Sequence, residues 1–116
     1  MGEHLAVAAT HLAASAEAIA LAQRLGLDGA ATLAVVAESS GHSWIGADRM
    51  ARALAGDFAP RAHTTLLAKD SGLALAMAAQ AGIQPLLGTA AAAQFQAALA
   101  AGFGGDDDAR LLSLLQ

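Results

Sequence analysis

Apolar residues recur along this chain at helical rather than strand spacing, in six runs separated by short polar or glycine-containing breaks. From about His4 to Leu25, Leu5, Leu12, Ala16 and Ile19 fall at i, i+7, i+11 and i+14 with no breaker between them, which predicts one long helix on the order of 30 Å. The segment RLGLD closes it: Arg24 lies in the last turn, Gly26 suits a left-handed cap, and Asp28 can cap the next helix. That second helix is expected from about Gly29 to Glu38, burying Leu33 and Val36, with Ser39, Ser40 and Gly41 as its stop. So short a connection implies antiparallel neighbours. Ser43 can cap a third helix from about Trp44 to Leu54, which carries Trp44, Met50 and Leu54 beside solvent-facing Asp48, Arg49 and Arg52. GDFAPRAH then reads as an irregular connector, because Pro60 disfavours helix at Ala59. Thr64 can cap a fourth helix that ends near Gly82. Pro85 stands near the start of a fifth, whose Leu86, Leu87, Phe95 and Leu99 run to a stop at Gly102. Asp106 to Asp108 favour the amino end of a last short helix containing Leu111, Leu112, Leu114 and Leu115. No run of four residues alternates apolar and polar with β-branched content, so no sheet is expected. The expected fold is all-α, a single six-helix, bundle-like domain over residues 1–116 with a long first helix.

The fourth helix departs from this smooth pattern. In RAHTTLLAKDSGLALAMAAQAG, Leu66, Asp70, Leu73 and Met77 share one stripe at i, i+4, i+7 and i+11. That stripe points Asp70 toward the expected core, with Lys69 beside it. Charges carried into apolar surroundings are costly unless paired or used. The pair is therefore either a buried structural tie or half of a site, and the periodicity alone allows both.

Composition narrows the setting. At 116 residues the chain can bury one core but not two. Apolar residues make up 56% and charged ones 14%, so the surface cannot be wholly polar, and some of the apolar excess is expected in a contact with another chain or domain. A net charge of −4 with six scattered basic residues makes neither nucleic acid nor an anionic membrane a natural partner. Zero cysteines remove disulfide and thiolate chemistry. The opening run GEHLAVAATHLAASAEAIALAQ is hydrophobic, but His4, His11, Glu17 and Gln23 interrupt it and no Lys or Arg precedes Arg24. It is read as neither signal peptide nor membrane span, and the cytoplasm is the expected compartment.

Several familiar constellations fail on spacing. His4 and His11 share a helix face but stand about two turns, roughly 10 Å, apart, too far for one metal to bridge. His42 and His63 lie in loops with no carboxylate at ligand spacing, so no metal site is expected. A helix–helix hydrogen bond is the expected use of His11. GFGGDD follows a helix, lacks the third glycine of a dinucleotide fingerprint and carries three acids where an anion would sit, so it reads as a turn. Ser39, Ser40 and Ser43 lack the strand-to-helix elbow that exposes a nucleophile, which argues against hydrolysis.

The order and spacing of SSGHSW, GDFAPR, LLAKDSGLAL and GFGGDDDARLLSLL resemble the C-terminal domain of the β-hydroxyacid, or 3-hydroxyisobutyrate, dehydrogenases over nearly the whole chain. GHSW, then DRM, then GDFAPR is particularly similar to the L-threonate dehydrogenase branch. The resemblance implies an all-helical domain like that of the 6-phosphogluconate and 3-hydroxyisobutyrate dehydrogenases. In such enzymes it completes the active site and forms the dimer, beside an N-terminal Rossmann domain that binds NAD or NADP. No βαβ unit or glycine fingerprint precedes His4, so that domain is expected to be absent from this chain. Registering AEA and RLG puts the family's catalytic lysine position at Met1, so the general acid/base is missing. His4 falls on the site histidine or asparagine, while Leu5 takes the next position, where relatives carry an amide. Lys69 matches the lysine that reaches the bound nicotinamide cofactor, Asp70 the neighbouring active-site aspartate, and Trp44 the tryptophan that lines the substrate pocket. The aromatic that many relatives carry shortly before the Lys-Asp pair falls here at Ala62.

The resemblance thus implies the substrate-site and dimerisation domain of an NAD(P)-dependent oxidoreductase that oxidises a hydroxyl of a small hydroxy acid. Alone, the domain is expected to be inactive and to hold no cofactor. A homodimer through the first helix is expected. The rival reading is a free-standing helical dimerisation or scaffold module that has lost its chemistry, for which Met1 and Leu5 speak.

Overall fold

The computed structural model describes residues 2–116, so Met1 and the lysine position assigned to it lie outside the described residues. The order of elements is α1 (Gly2–Arg24), α2 (Gly29–Ala37), α3 (Trp44–Leu54), α4 (Thr64–Gln80), α5 (Leu86–Ala100) and α6 (Leu111–Leu115), with a 3-10 turn at Asp108–Arg110 leading into α6. There is no strand among the described residues, only an isolated antiparallel bridge between His63 and Asp107.

Local chemistry sets most of the ends. Asp28 accepts the Ala31 N–H at 2.8 Å and Ser43 the Gly46 N–H at 3.0 Å, satisfying donors that a helix start leaves free. Gly26, at φ 82°, closes α1, with its N–H on the Gln23 carbonyl and the Leu27 N–H on the Ala22 carbonyl.

The first helix is the axis of the domain, packing against all five other helices. Its alanines Ala9, Ala13, Ala16 and Ala20 let the neighbours come close, and Leu12 and Ile19 fill the space between them with Phe95, Met50, Leu111 and Leu112. By length and composition alone α1 could cross a membrane. Here its apolar face is spent on the core, with Leu12 and Ala16 fully buried. The second helix is peripheral instead. Leu33 and Val36, expected to be buried, are half-buried, and Gly29 is its buried residue.

Two expectations about α4 fail. Its core face is Leu67, Ala68, Ser71 and Ala74, while Leu66, Leu73 and Met77 are each about half exposed. Spacing shows which residues share a face but not which face is packed, and α4 is apolar on both sides, so the wrong stripe looked like core. Nor does Thr64 cap the helix. His63 holds the cap position, and the Thr64 hydroxyl donates to the carbonyls of Asp106 and Asp107 at 3.1 and 3.2 Å.

Those aspartates belong to a polar clamp that the sequence did not suggest. Asp107 is completely buried. One of its oxygens accepts the N–H groups of Arg61 and Ala62 at 2.9 and 3.2 Å, while the other accepts the Ala109 N–H at 2.9 Å and lies 2.7 Å from Arg52 Nη1. Burial pushes the Asp107 carboxyl upward, but these backbone donors and the Arg52 guanidinium outweigh it and hold the pKa down at about 2. Arg49 Nε meets Asp108 Oδ1 at 2.6 Å, and Asp48 accepts from both arginines at 2.8 and 3.0 Å. Arg49 and Arg52 are therefore not solvent-facing: contacts with Asp48, Asp107 and Asp108 draw their charged ends inward. Burial raises the pKa of Asp108, against the pull of Arg49. The last cation of the chain, Arg110, stacks between Phe58 and Phe103 at 4.5 and 4.6 Å.

Candidate functional site

A cleft of about 240 Å³ opens where the amino ends of α1 and α3 meet the first turns of α4. The first helix contributes His4, Leu5 and Ala8; the third contributes Trp44, Ile45 and Arg49. Leu66, Leu67 and Asp70 come from α4, with Ala62 and Asp108 at the base of the connector. Three of the residues nominated from the sequence, His4, Trp44 and Asp70, are thus brought together from three different helices. The fourth, Lys69, is not in the wall of the cleft. It is exposed on α4 next to Asp70, which is half-buried.

A buried tie between Lys69 and Asp70 is not what the structure contains. Lys69 is in water, and among the described residues neither side chain takes part in an ion pair. Consecutive helix positions point about 100° apart, so the two do not face each other. The cations tell the same story. Arg49, Arg52, Arg61 and Arg110 all have carboxylate partners within 4.0 Å. Arg24 lies twenty positions from His4, about 30 Å along α1. Among the described residues, Lys69 is therefore the Lys or Arg near the cleft whose charge is not already used by the protein.

The third helix reaches the cleft because of Gly46. A methyl group there would run into the Ser15 and Ser43 side chains, so its absence lets the start of α3 lie against α1. Trp44, the first residue of α3, then stands at the cleft with 73% of its surface exposed. Arg49 and Asp108 are site residues that sequence reasoning missed. Asp108 lies 59 positions from Arg49, and no local spacing links them. The one available signal was a run of three aspartates in a chain poor in charge. Leu5 and Ala62 both line the cleft and contribute apolar surface to its wall.

A second cavity, of about 400 Å³, lies between α1, α2 and the loop before α3, and His11 and His42 both line it. His11 is exposed there, and its side chain makes no hydrogen bond among the described residues, so it is not the helix–helix link expected of it. No group of three or more His, Cys, Asp or Glu is disposed to hold a metal among the described residues.

Comparison with known proteins decides the family. The family model described as the NAD-binding domain of NADP-dependent 3-hydroxyisobutyrate dehydrogenase matches residues 5–115. The chain belongs to that family. It is 37% identical over 112 residues to an L-threonate dehydrogenase of Escherichia coli, covering 96% of this chain and 37% of the relative. An L-threonate dehydrogenase of Cupriavidus necator is 36% identical over 108 residues, covering 93% of this chain and 36% of the relative. Among solved structures, a 3-hydroxyisobutyrate dehydrogenase from Salmonella typhimurium superposes with a TM-score of 0.94 at 34% identity, covering 97% of this chain and 40% of that one. The chain thus spans a little over a third of the length of the 3-hydroxyisobutyrate dehydrogenase-family relatives it matches. The all-helical fold matches that of the part of the Salmonella enzyme it covers.

Proposed function

We propose that this domain is the helical half of an NAD(P)-dependent dehydrogenase of small hydroxy acids, and that its cleft becomes an active site when a Rossmann domain closes over it. The observation that carries this reading is the convergence of His4, Trp44 and Asp70 from three helices on one cleft, with Lys69 exposed at the position of α4 next to Asp70. The residues present fit a dinucleotide. A solvent-facing ammonium suits a phosphate or ribose oxygen, and the half-exposed leucines Leu66 and Leu73 on the same helix suit burial under a second domain. The bound cofactor would supply the hydride acceptor, NAD or NADP.

The chain's own residues then have distinct tasks. Lys69 helps hold the cofactor, while His4 donates or accepts a hydrogen bond at the substrate and Trp44 walls the pocket. Asp70 is an anion that would orient a reacting lysine and raise its pKa once the missing half supplies one. The family's lysine position in this chain falls at Met1, so on this reading the domain by itself does not turn over substrate. The L-threonate dehydrogenase relatives point to a small polyhydroxy acid as substrate. The domain works in the cytoplasm as a homodimer, for which exposed Val7 and Leu21 on α1 and Leu25 just beyond its end offer apolar surface.

The coding sequence upstream of Met1 tests the central point. An in-frame Rossmann segment that ends in G-x-G-x-x-x-K supports the half-site, and a true start codon with no such segment contradicts it. Leu5 in the cleft favours a second reading, a helical association module without chemistry. Sedimentation tests the association common to both: a dimer at micromolar concentration is expected, and a monomer at high concentration counts against it.

A further inference from the structure

Trp44 stands on the first turn of α3 and is 73% exposed, so the core does not grip its indole. An exposed indole samples several rotamers unless something takes one of its faces. Here the Arg49 guanidinium carbon lies 5.9 Å from the ring centroid. An arginine side chain is ordinarily flexible too, but this one is held at three points. Nε meets Asp108 Oδ1 at 2.6 Å, Nη2 meets Asp108 Oδ2 at 3.4 Å, and Nη1 meets Asp48 at 2.8 Å. A two-point grip of carboxylate on guanidinium fixes the plane of the group as well as its position. Asp108 is itself anchored, with its side chain 3% exposed and its backbone N–H on the Ala62 carbonyl at 2.8 Å. A continuous line of fixed groups therefore runs from the aspartate turn to the face of the indole.

We propose that Arg49, fixed by Asp108, is a positioning residue that holds the indole of Trp44 as a rigid wall of the cleft. The meaning of that wall for substrate fit rests on reading the cleft as a half-site for a small hydroxy acid. Its rigidity is measured without substrate or cofactor, so failure of one is distinguishable from failure of the other.

Trp44 is the one tryptophan of the chain, so time-resolved fluorescence anisotropy reports on this ring alone. In the unaltered chain the indole is expected to depolarise mainly with overall tumbling. In Arg49→Met and in Asp108→Asn, at temperatures where circular dichroism shows the helices intact, the rapidly depolarising fraction at least doubles. Arg52→Met cuts the pair with Asp107 and the contact with Asp48 but leaves the two-point grip of Asp108 on Arg49 in place, so it lowers the melting temperature and leaves the anisotropy of Trp44 unchanged. Should Asp108→Asn fail to fold, Arg49→Met decides alone. Unchanged anisotropy in folded Arg49→Met overturns the proposal, as does an equal loss of rigidity in Arg52→Met.

Discussion

Two acidic regions lie within the same end of this domain, and they are built in opposite ways. At the turn containing Asp106 to Asp108 the carboxylates of Asp107 and Asp108 are buried, Asp107 bound to backbone N–H groups and to Arg52 of α3 and Asp108 to Arg49 of α3. On α4, Asp70 is half-buried in the wall of a cleft and Lys69 stands in water, with no ion pair at either among the described residues. A charge committed to internal partners holds elements together and is unavailable to a ligand. A charge left over at a cleft contributes little to folding and is free to act. The clamp therefore shapes the cleft, while the α4 pair is left without an internal ion-pair partner among the described residues.

That contrast predicts unequal costs of mutation. Asp107→Ala should be the most damaging change, since it takes from Arg52 its buried partner, leaving only Asp48, and leaves three backbone donors unpaired. A loss of about 3–5 kcal/mol in urea unfolding is expected, as for other broken buried pairs. A loss below about 1 kcal/mol would show that the clamp is not structural.

Acid should attack the same region. Because the folded pKa of Asp107 is depressed from 3.8 to about 2, its stabilisation is complete above pH 4 and is lost as pH falls from there through 2. The loss amounts to about 2 kcal/mol. Asp108, shifted upward by burial, acts in the opposite sense and is relieved as it protonates. Asp107→Asn should flatten the pH dependence of the melting temperature between pH 4 and 2, and an unchanged slope would assign the acid sensitivity elsewhere.

At the small end, Asp70→Asn and Lys69→Ala should each change stability by less than about 0.5 kcal/mol, the range expected of exposed substitutions without committed partners. A change of 2 kcal/mol at either position would erase the distinction between the two regions.

The sequence revealed the local parts of this fold and missed the distant ones. Helix starts at Asp28 and Ser43 and the stop at Gly26 were legible because a cap is settled within three or four residues. The packed face of α4 was not, because alanines and leucines surround that helix and only its neighbours choose among its faces. The burial of Arg49 and Arg52 was equally hidden. Their spacing looks like a solvated helix flank, and the aspartates that draw them inward lie across the chain in a turn that reads as a helix start. His4 and Trp44 were nominated through likeness to a family, whereas periodicity alone had singled out Asp70 and placed it toward the core rather than in the wall of the cleft.

The most direct test of the account joins this domain to a cofactor-binding half and measures the cofactor KM with and without Lys69→Ala. Loss of one charge-assisted contact, about 1.4 kcal/mol, predicts a KM roughly tenfold higher at an unchanged melting temperature. A large fall in melting temperature with an unaltered KM would contradict the account and return Lys69 to a structural role.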